Sequence, residues 1–268
     1  MKNYKLSDET KTLSCGTVLH RIVATTTFTL ACGLTVTEGD VGGWIEKESN
    51  LSGNAWVSDN ATVSGNARVS GNALISENAW VCGDARVFGY AWVSGNAKVC
   101  DKALVCSNAK VFGEVQVCDN TQVYGYALVH GYAKVYDDAQ VDGDTKVSDN
   151  AQVYGNAWVS DNAWVSDNAK VFGNTLVCDK AWIHGDALVM NTSDYVVFKN
   201  NWSSSRYFTW TKSNDKWAVG WFYGTGAELI KKAYADSEDN GKHYEAYVTL
   251  VETLKNAAQA NSELVVDK

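Results

Sequence analysis

From Leu51 to Leu188 the chain repeats one six-residue phrase with no insertion or deletion. The phrase is aliphatic, any, Gly or Asp, Asn or Asp, Ala, any, as in V-S-D-N-A-T and V-Y-G-N-A-W, and it recurs twenty-three times in register. Its first position departs from Val only to Ile or Leu. A fixed short period forces every phrase into the same local structure. The order Ala, any, Val alternates like a half-buried strand with Ala and Val on one side. Gly or Asp followed by Asn or Asp is corner chemistry, because these residues tolerate positive φ. Each phrase therefore predicts one short strand and one corner. Three corners close a triangle, so eighteen residues make one coil of a parallel β-helix. Each inward Val or Ile contributes roughly 1.5–3 kcal/mol when buried, which suffices for a thin core. The chain has no proline, as suits a ladder that uses nearly every N–H.

This pattern resembles the hexapeptide-repeat, left-handed β-helix superfamily over about half the chain. The handedness, contrary to the usual right-handed crossover, is implied by the resemblance and not by the period. The expected organisation is an N-terminal β cap (1–50), the β-helix (51–190) and a small C-terminal β-β-β-α-α module (191–268). Caps are required because the ends of a β-helix expose unpaired strand edges. The runs T-V-L-H-R-I-V-A and T-F-T-L-A-C-G-L-T-V read as cap strands, and Trp44 and Ile45 are placed to plug the open end. After Leu188, D-Y-V-V-F-K, R-Y-F-T-W-T-K and K-W-A-V-G-W-F-Y read as three strands. Two helices follow, with apolar faces of Leu229, Ile230, Ala233 and Tyr234, and of Tyr247, Leu250, Val251 and Leu254. The tail from Asn261 is expected to fray.

A net charge of −8 argues against direct nucleic-acid binding and against anionic membranes. It leaves open an acidic prism that mimics nucleic acid. The N-terminus is too polar for a signal peptide, and the apolar stretch Ile22 to Thr37 is too short to span a bilayer. The sequons at Asn191 and Asn201 then read as chance. Seven cysteines, an odd count, imply reduced thiols in a cytosol. Cys82, Cys100 and Cys118 lie eighteen apart, so they stack on one outer face, and Tyr136, Tyr154 and Phe172 continue the column. Sulfurs about 4.8 Å apart do not form a disulfide without movement, and zinc would need a fourth ligand. The column reads as a ladder of like side chains, with no metal and no cofactor expected.

Folding the sequence at eighteen residues sorts the outward position before each Val into three columns. The first is Trp56, Leu74, Trp92, Lys110, Leu128, Lys146, Trp164 and Trp182. The second runs from Thr62 through Trp80, Lys98 and Gln116 to Leu188, and the third from Arg68 and Arg86 to Trp158 and Leu176. The first is far more apolar than a solvated face, which makes its Trp and Leu residues the candidate interface. Self-association, with a trimer favoured by the superfamily resemblance, competes there with docking of the C-terminal segment. A platform on which indoles stack against sugars or bases is the third reading.

The best-known superfamily activity is acyl transfer from acyl-CoA or acyl carrier protein with a histidine base at a subunit interface. Here His130 and His184 follow Val on the Trp-rich face, three coils or roughly 14 Å apart, too far for a pair. No loop interrupts the coils to shape a pantetheine channel. The histidines remain weak catalytic candidates. In the C-terminal segment, Ser204 and Arg206 could hold a phosphate or nucleotide with Trp210, Trp217 or Trp221 stacking beneath. An ordinary β-turn over a small aromatic core is the competing reading.

The whole layout also resembles a group of uncharacterised hexapeptide-repeat proteins from bacteriophages, prophages and gut bacteria. The shared segments stand here as Tyr4 to Thr10, Gly39 to Glu46 and Gly220 to Thr225. That resemblance implies a phage-related origin and an intracellular role; with the Trp-rich face it leads to the expectation of a non-catalytic, cytosolic scaffold that self-associates and, in a counter-defence role, binds a host protein or a nucleotide signal. An acyl-CoA-dependent acyltransferase and a virion component are the alternatives.

Overall fold

A computed structural model describes residues 2–266, with side chains described through residue 257. The chain divides into two compact units, residues 1–192 and 193–268.

In the first unit, every phrase forms a two-residue strand, from Trp56–Val57 to Leu188–Val189. Strands eighteen residues apart pair in parallel, as in Trp92 with Lys110 and Val93 with Val111. Three stacked sheets result, one for each column, and close a parallel β-solenoid of about eight turns. The hydrogen-bond ladder is continuous: Trp92 N–H donates to the Ala109 carbonyl at 3.0 Å and Ser94 N–H to that of Val111 at 2.9 Å. The Val and Ala rows are sealed inside the solenoid. At each corner the Gly or Asp has positive φ, 67° at Gly65 and 60° at Asp119. Aspartate adds a bond that glycine lacks. The carboxylates of Asp119 and Asp137 accept the N–H of the corner residue one coil later, Asp137 at 3.1 Å and Gly155 at 3.0 Å.

Threonine replaces the inward Ala at positions 121, 145 and 175. Thr121 Oγ1 donates to the Cys118 carbonyl at 2.7 Å, whereas Oγ1 of Thr145 and of Thr175 is buried with no partner. Val115 already occupies this slot fully buried. We therefore expect Thr145→Val and Thr175→Val each to raise unfolding stability by about 1–2 kcal/mol, since the shape is kept and an unsatisfied hydroxyl is removed. Urea denaturation checks this, and a lowered midpoint in both would refute it.

The cap contains β1 (Tyr4–Thr12), β2 (Val18–Ala24), β3 (Phe28–Thr29), β4 (Thr35–Val36) and β5 (Val41–Ile45). β5 is the first strand of the second face, pairing in parallel with Thr62–Val63. β2 pairs antiparallel with β5, and β1 with β2. The open edge is thus closed by an antiparallel hairpin. Two sequence expectations change here. Ile45 lies inside, but Trp44 shares the outward register of Thr62 and does not plug the end. Its ring instead lies against Lys11 Nζ (5.2 Å) and the Arg21 guanidinium (4.8 Å), a cation–π arrangement. The second cap run is also not one strand. It folds back at positive-φ Gly33 into the β3–β4 hairpin.

The second unit is an antiparallel meander of four strands, Tyr195–Lys199, Tyr207–Thr211, Lys216–Val219 and Phe222–Gly224. Three were expected. The third run breaks because Gly220, at φ 57°, opens a tight turn that leaves Trp221 98% exposed. Helices α1 (Gly226–Asp236) and α2 (Glu238–Val266) follow, and Thr225 and Glu228 form a capping box at the start of α1. The core joins Phe208, Trp210, Trp217 and Val219 to Leu229, Ala233, Tyr244, Val248 and Val251. The helix faces are rotated from expectation, since Tyr234, Leu250 and Leu254 are exposed. The fraying expected from Asn261 concerns residues whose side chains lie outside the described set.

Candidate functional site

The Trp-rich face is shorter than its sequence column. Trp56 and Leu74 are 3% and 5% exposed, because the chain's own N-terminal cap covers this end. The Phe28 ring packs edge-on to Trp56 at 5.8 Å, and β4 lines a groove of about 420 Å³ with Trp56, Leu74 and Trp92. These two residues are therefore removed from the candidate interface. Its accessible part starts at Trp92 and continues through Leu128, Trp164 and Trp182, all half-buried.

The half-burial has a local cause. Each indole leans across its corner and donates Nε1–H to the serine sixteen residues earlier: Trp92 to Ser76 at 3.0 Å, Trp164 to Ser148 at 3.1 Å and Trp182 to Ser166 at 3.0 Å. The rings thus lie along the face with their one polar group satisfied. Lysines that interrupt the column sit over the same rings, Lys110 over Trp92 at 5.9 Å and Lys146 over Trp164 at 5.7 Å. Trp164 and Trp182 stack at 4.9 Å. Sequence reading missed Phe112 and Tyr132, which sit at the neighbouring corner and are exposed. Both stand in slots usually filled by small polar residues, and that departure was the available signal.

The two histidines are separate packing elements. His130 stacks on Phe112 at 5.2 Å with ring planes 7° apart. His184 Nδ1 lies 2.9 Å from Ser166 Oγ and 3.1 Å from Asp167 Oδ2. Burial pushes both imidazoles below their ordinary pKa, against the opposing pull of Asp149 on His130 and of Asp167 on His184. Ser148 and Ser166, the column residues between them, are buried under the indoles.

In the second unit the expected ligand group is dispersed. Trp210 and Trp217 belong to the buried core, and Trp210 Nε1–H donates to Asp215 at 2.8 Å. Burial follows from their place on the sheet face that packs against the helices, so neither can stack on a ligand. Trp221 is exposed at a hairpin tip. The serine hydroxyls are engaged by Asn200, whose Nδ2 donates to Ser203 Oγ at 2.9 Å and to Ser204 Oγ at 3.3 Å. Asn200 Oδ1 accepts the N–H groups of Trp202 and Ser203. This is an asparagine-organised turn, and Cδ and the guanidinium of Arg206 lie beside Gly220.

A polar cavity of about 420 Å³ lies on the third face, lined by Lys47, Ser49, Asn66, Arg68, Asp84 and Arg86. Arg68 and Arg86 are register neighbours on adjacent strands, and both are exposed. Neither forms an ion pair with a described carboxylate. Asp84 instead accepts from Asn66 Nδ2 at 3.1 Å, and Lys47 Nζ donates to Asn66 Oδ1 at 3.1 Å. The 3-10 turn Glu48–Asn50 contributes Ser49 to the cavity lining. Two adjacent guanidinium groups and the Lys47 ammonium outnumber the single carboxylate of Asp84 in this cavity, a balance that favours an anion.

Among the described residues no helix is long and apolar enough to cross a membrane. No curated protein matches the chain. A repeat family described as YdcK beta solenoid repeat matches residues 55–69, 67–82, 79–95 and 151–167, so these coils are similar to a known β-solenoid repeat.

Proposed function

We propose that this chain is a non-catalytic scaffold that self-associates through the face carrying Trp92, Leu128, Trp164 and Trp182, with Phe112 and Tyr132 at its edge. The observation that carries the reading is the uninterrupted run of corners of equal length, with no inserted loop. It gives this face no loop to shape a channel, and Ser166 and Asp167 both meet the same nitrogen of His184, Nδ1, so the imidazole does not bridge them as a relay. A flush, half-apolar face with one repeat height per coil matches a second copy layer by layer. A trimer is the assembly that the superfamily resemblance supports. The phage-type resemblance and seven free thiols support a bacterial cytosol and a counter-defence role, in which the scaffold engages a host protein.

The test uses substitutions that the repeat itself accommodates. Phe112→Ser copies Ser94 and Tyr132→Asn copies Asn150, the same slots one coil away, and Leu128→Gln is borrowed from the other faces. Sedimentation equilibrium should give a wild-type trimer, and the triple variant should be a monomer with unchanged circular dichroism. A monomeric wild type across the micromolar range would overturn the reading.

A nucleotide-type ligand is favoured at the Lys47–Arg68–Arg86 cavity over the Ser204–Arg206 turn, because three cationic side chains line one cavity there, whereas Arg206 is a single cation beside serines already bonded to Asn200. Calorimetry with pyrophosphate should detect binding that weakens at least tenfold in Arg68→Gln/Arg86→Gln and with added salt, while Arg206→Gln binds as wild type. Equal binding by all three proteins would refute the assignment.

A further inference from the structure

Cys82, Cys100 and Cys118 follow in-register strands of the second face, one per coil, and all three are half-buried. The sequence alone makes this a ladder of thiols, of the kind that Tyr136, Tyr154 and Phe172 continue with rings stacked at 4.8 and 5.0 Å. The structure adds a carboxylate. Asp101 occupies the corner next to Cys100 at φ 57°, and its Oδ2 accepts Asp119 N–H from the following coil at 3.4 Å. That bond turns the carboxylate along the stack, toward Cys118. Sγ of Cys100, Sγ of Cys118 and a carboxylate oxygen of Asp101 all lie within 4.8 Å of one another. Among the described residues this is the one group of three such ligands that converges.

We propose that Cys100, Cys118 and Asp101 form a binding site for a soft divalent metal ion of the zinc type. Zinc–sulfur bonds are about 2.3 Å and zinc–carboxylate bonds about 2.0–2.2 Å, so one ion centred among atoms this close reaches all three with small side-chain rotations. Two thiolates and a carboxylate are a donor set that zinc accepts, and the exposed side of Asp101 leaves the fourth position to water. Binding breaks two S–H bonds and forms two metal–sulfur bonds, and the protons pass to solvent with no change of oxidation state. The site is distinct from the Trp-rich face and from the arginine cavity.

Cadmium is the test probe, because thiolate-to-cadmium charge transfer absorbs in the ultraviolet and reports sulfur ligation directly. The reduced full-length protein should bind one Cd²⁺ per chain by native mass spectrometry and develop the charge-transfer band. Cys100→Ser and Cys118→Ser should each at least halve the band, since each removes one of the two sulfur ligands. Asp101→Asn should weaken Cd²⁺ at least tenfold while keeping the band of the bound form. Serine is compatible with the fold here, since Ser64 fills the same column one coil before Cys82. Cys106→Ser removes a buried thiol of the third face and should bind as wild type. An undiminished band in Cys100→Ser/Cys118→Ser would overturn the proposal, as would a wild-type protein that binds no Cd²⁺ at stoichiometric concentration. Circular dichroism of each variant shows that any loss is not unfolding.

Discussion

Val129→Asp is expected to destroy the cooperative fold of the first unit. Val129 is fully buried and pairs in register with Val111 one coil before and Val147 one coil after. The interior at this level is lined by the Val and Ala rows. The side chain would be buried protonated and unpaired. Burying such a polar group costs roughly 2–7 kcal/mol, and losing the valine removes roughly 1.5–3 kcal/mol. A combined loss of about 5 kcal/mol is comparable with the whole stability of a typical domain. Because each coil rests only on its neighbours, a failed layer in the middle separates the stack into two halves. Urea unfolding followed by circular dichroism should show a much lower midpoint or no folded baseline. Val129→Ile, a residue that the same slot already holds at Ile75 and Ile183, should change stability by less than about 1.5 kcal/mol. An Asp variant with the wild-type midpoint would mean that position 129 does not face the interior.

The second large effect concerns the cap. Gly42 and Gly43 lie in β5 where the cap meets the first coil. A Cβ on Gly42 would stand 2.6 Å from Ile22 Cγ1 and from the Val57 carbonyl oxygen, and one on Gly43 would stand 2.7 Å from the Ala61 carbonyl oxygen and from Val57 Cγ1. Backbone oxygens are among these neighbours, so no side-chain rotation relieves the overlap. Gly42→Val/Gly43→Val should therefore displace β5 and the hairpin that pairs with it. We expect a loss of about 3 kcal/mol or more, the upper part of the overpacking range. The observable signature follows from what the cap covers. Trp56 would become hydrated and its emission would shift to the red, residues 1–50 would become protease-sensitive, and the bared strand edge would promote aggregation. Unchanged emission together with unchanged proteolysis would show that the close approach does not hold the cap in place.

Sequence alone located side chains on the solenoid only where the repeat itself decided the geometry. Leu128, Trp164 and Trp182 were placed correctly on one face because the eighteen-residue coil fixes their stacking. Trp56 and Leu74 belong to the same column yet are covered, since β3 and β4 obey no period and nothing in the repeat says where they fold. Trp210 and Trp217 share a strand register with each other, which alternation could suggest. Which side of that sheet receives α1 and α2 is a matter of packing, and it turned both indoles into core. Asp101 looked like one more corner residue. Only its bond to the next coil brings its carboxylate to Cys118.

The sequence by itself determined the coil: the inward Val and Ala, the positive-φ corners and the in-register columns. These follow from period and local chemistry, repeated so often that every layer enforces the next. Only the tertiary structure decided which parts of those columns remain accessible, which hydroxyl each indole bonds, and which carboxylate joins the thiols. Those outcomes depend on contacts between segments with no common period and on side-chain directions across neighbouring coils. A repeat fixes where each Cα stands, but not what lies over it.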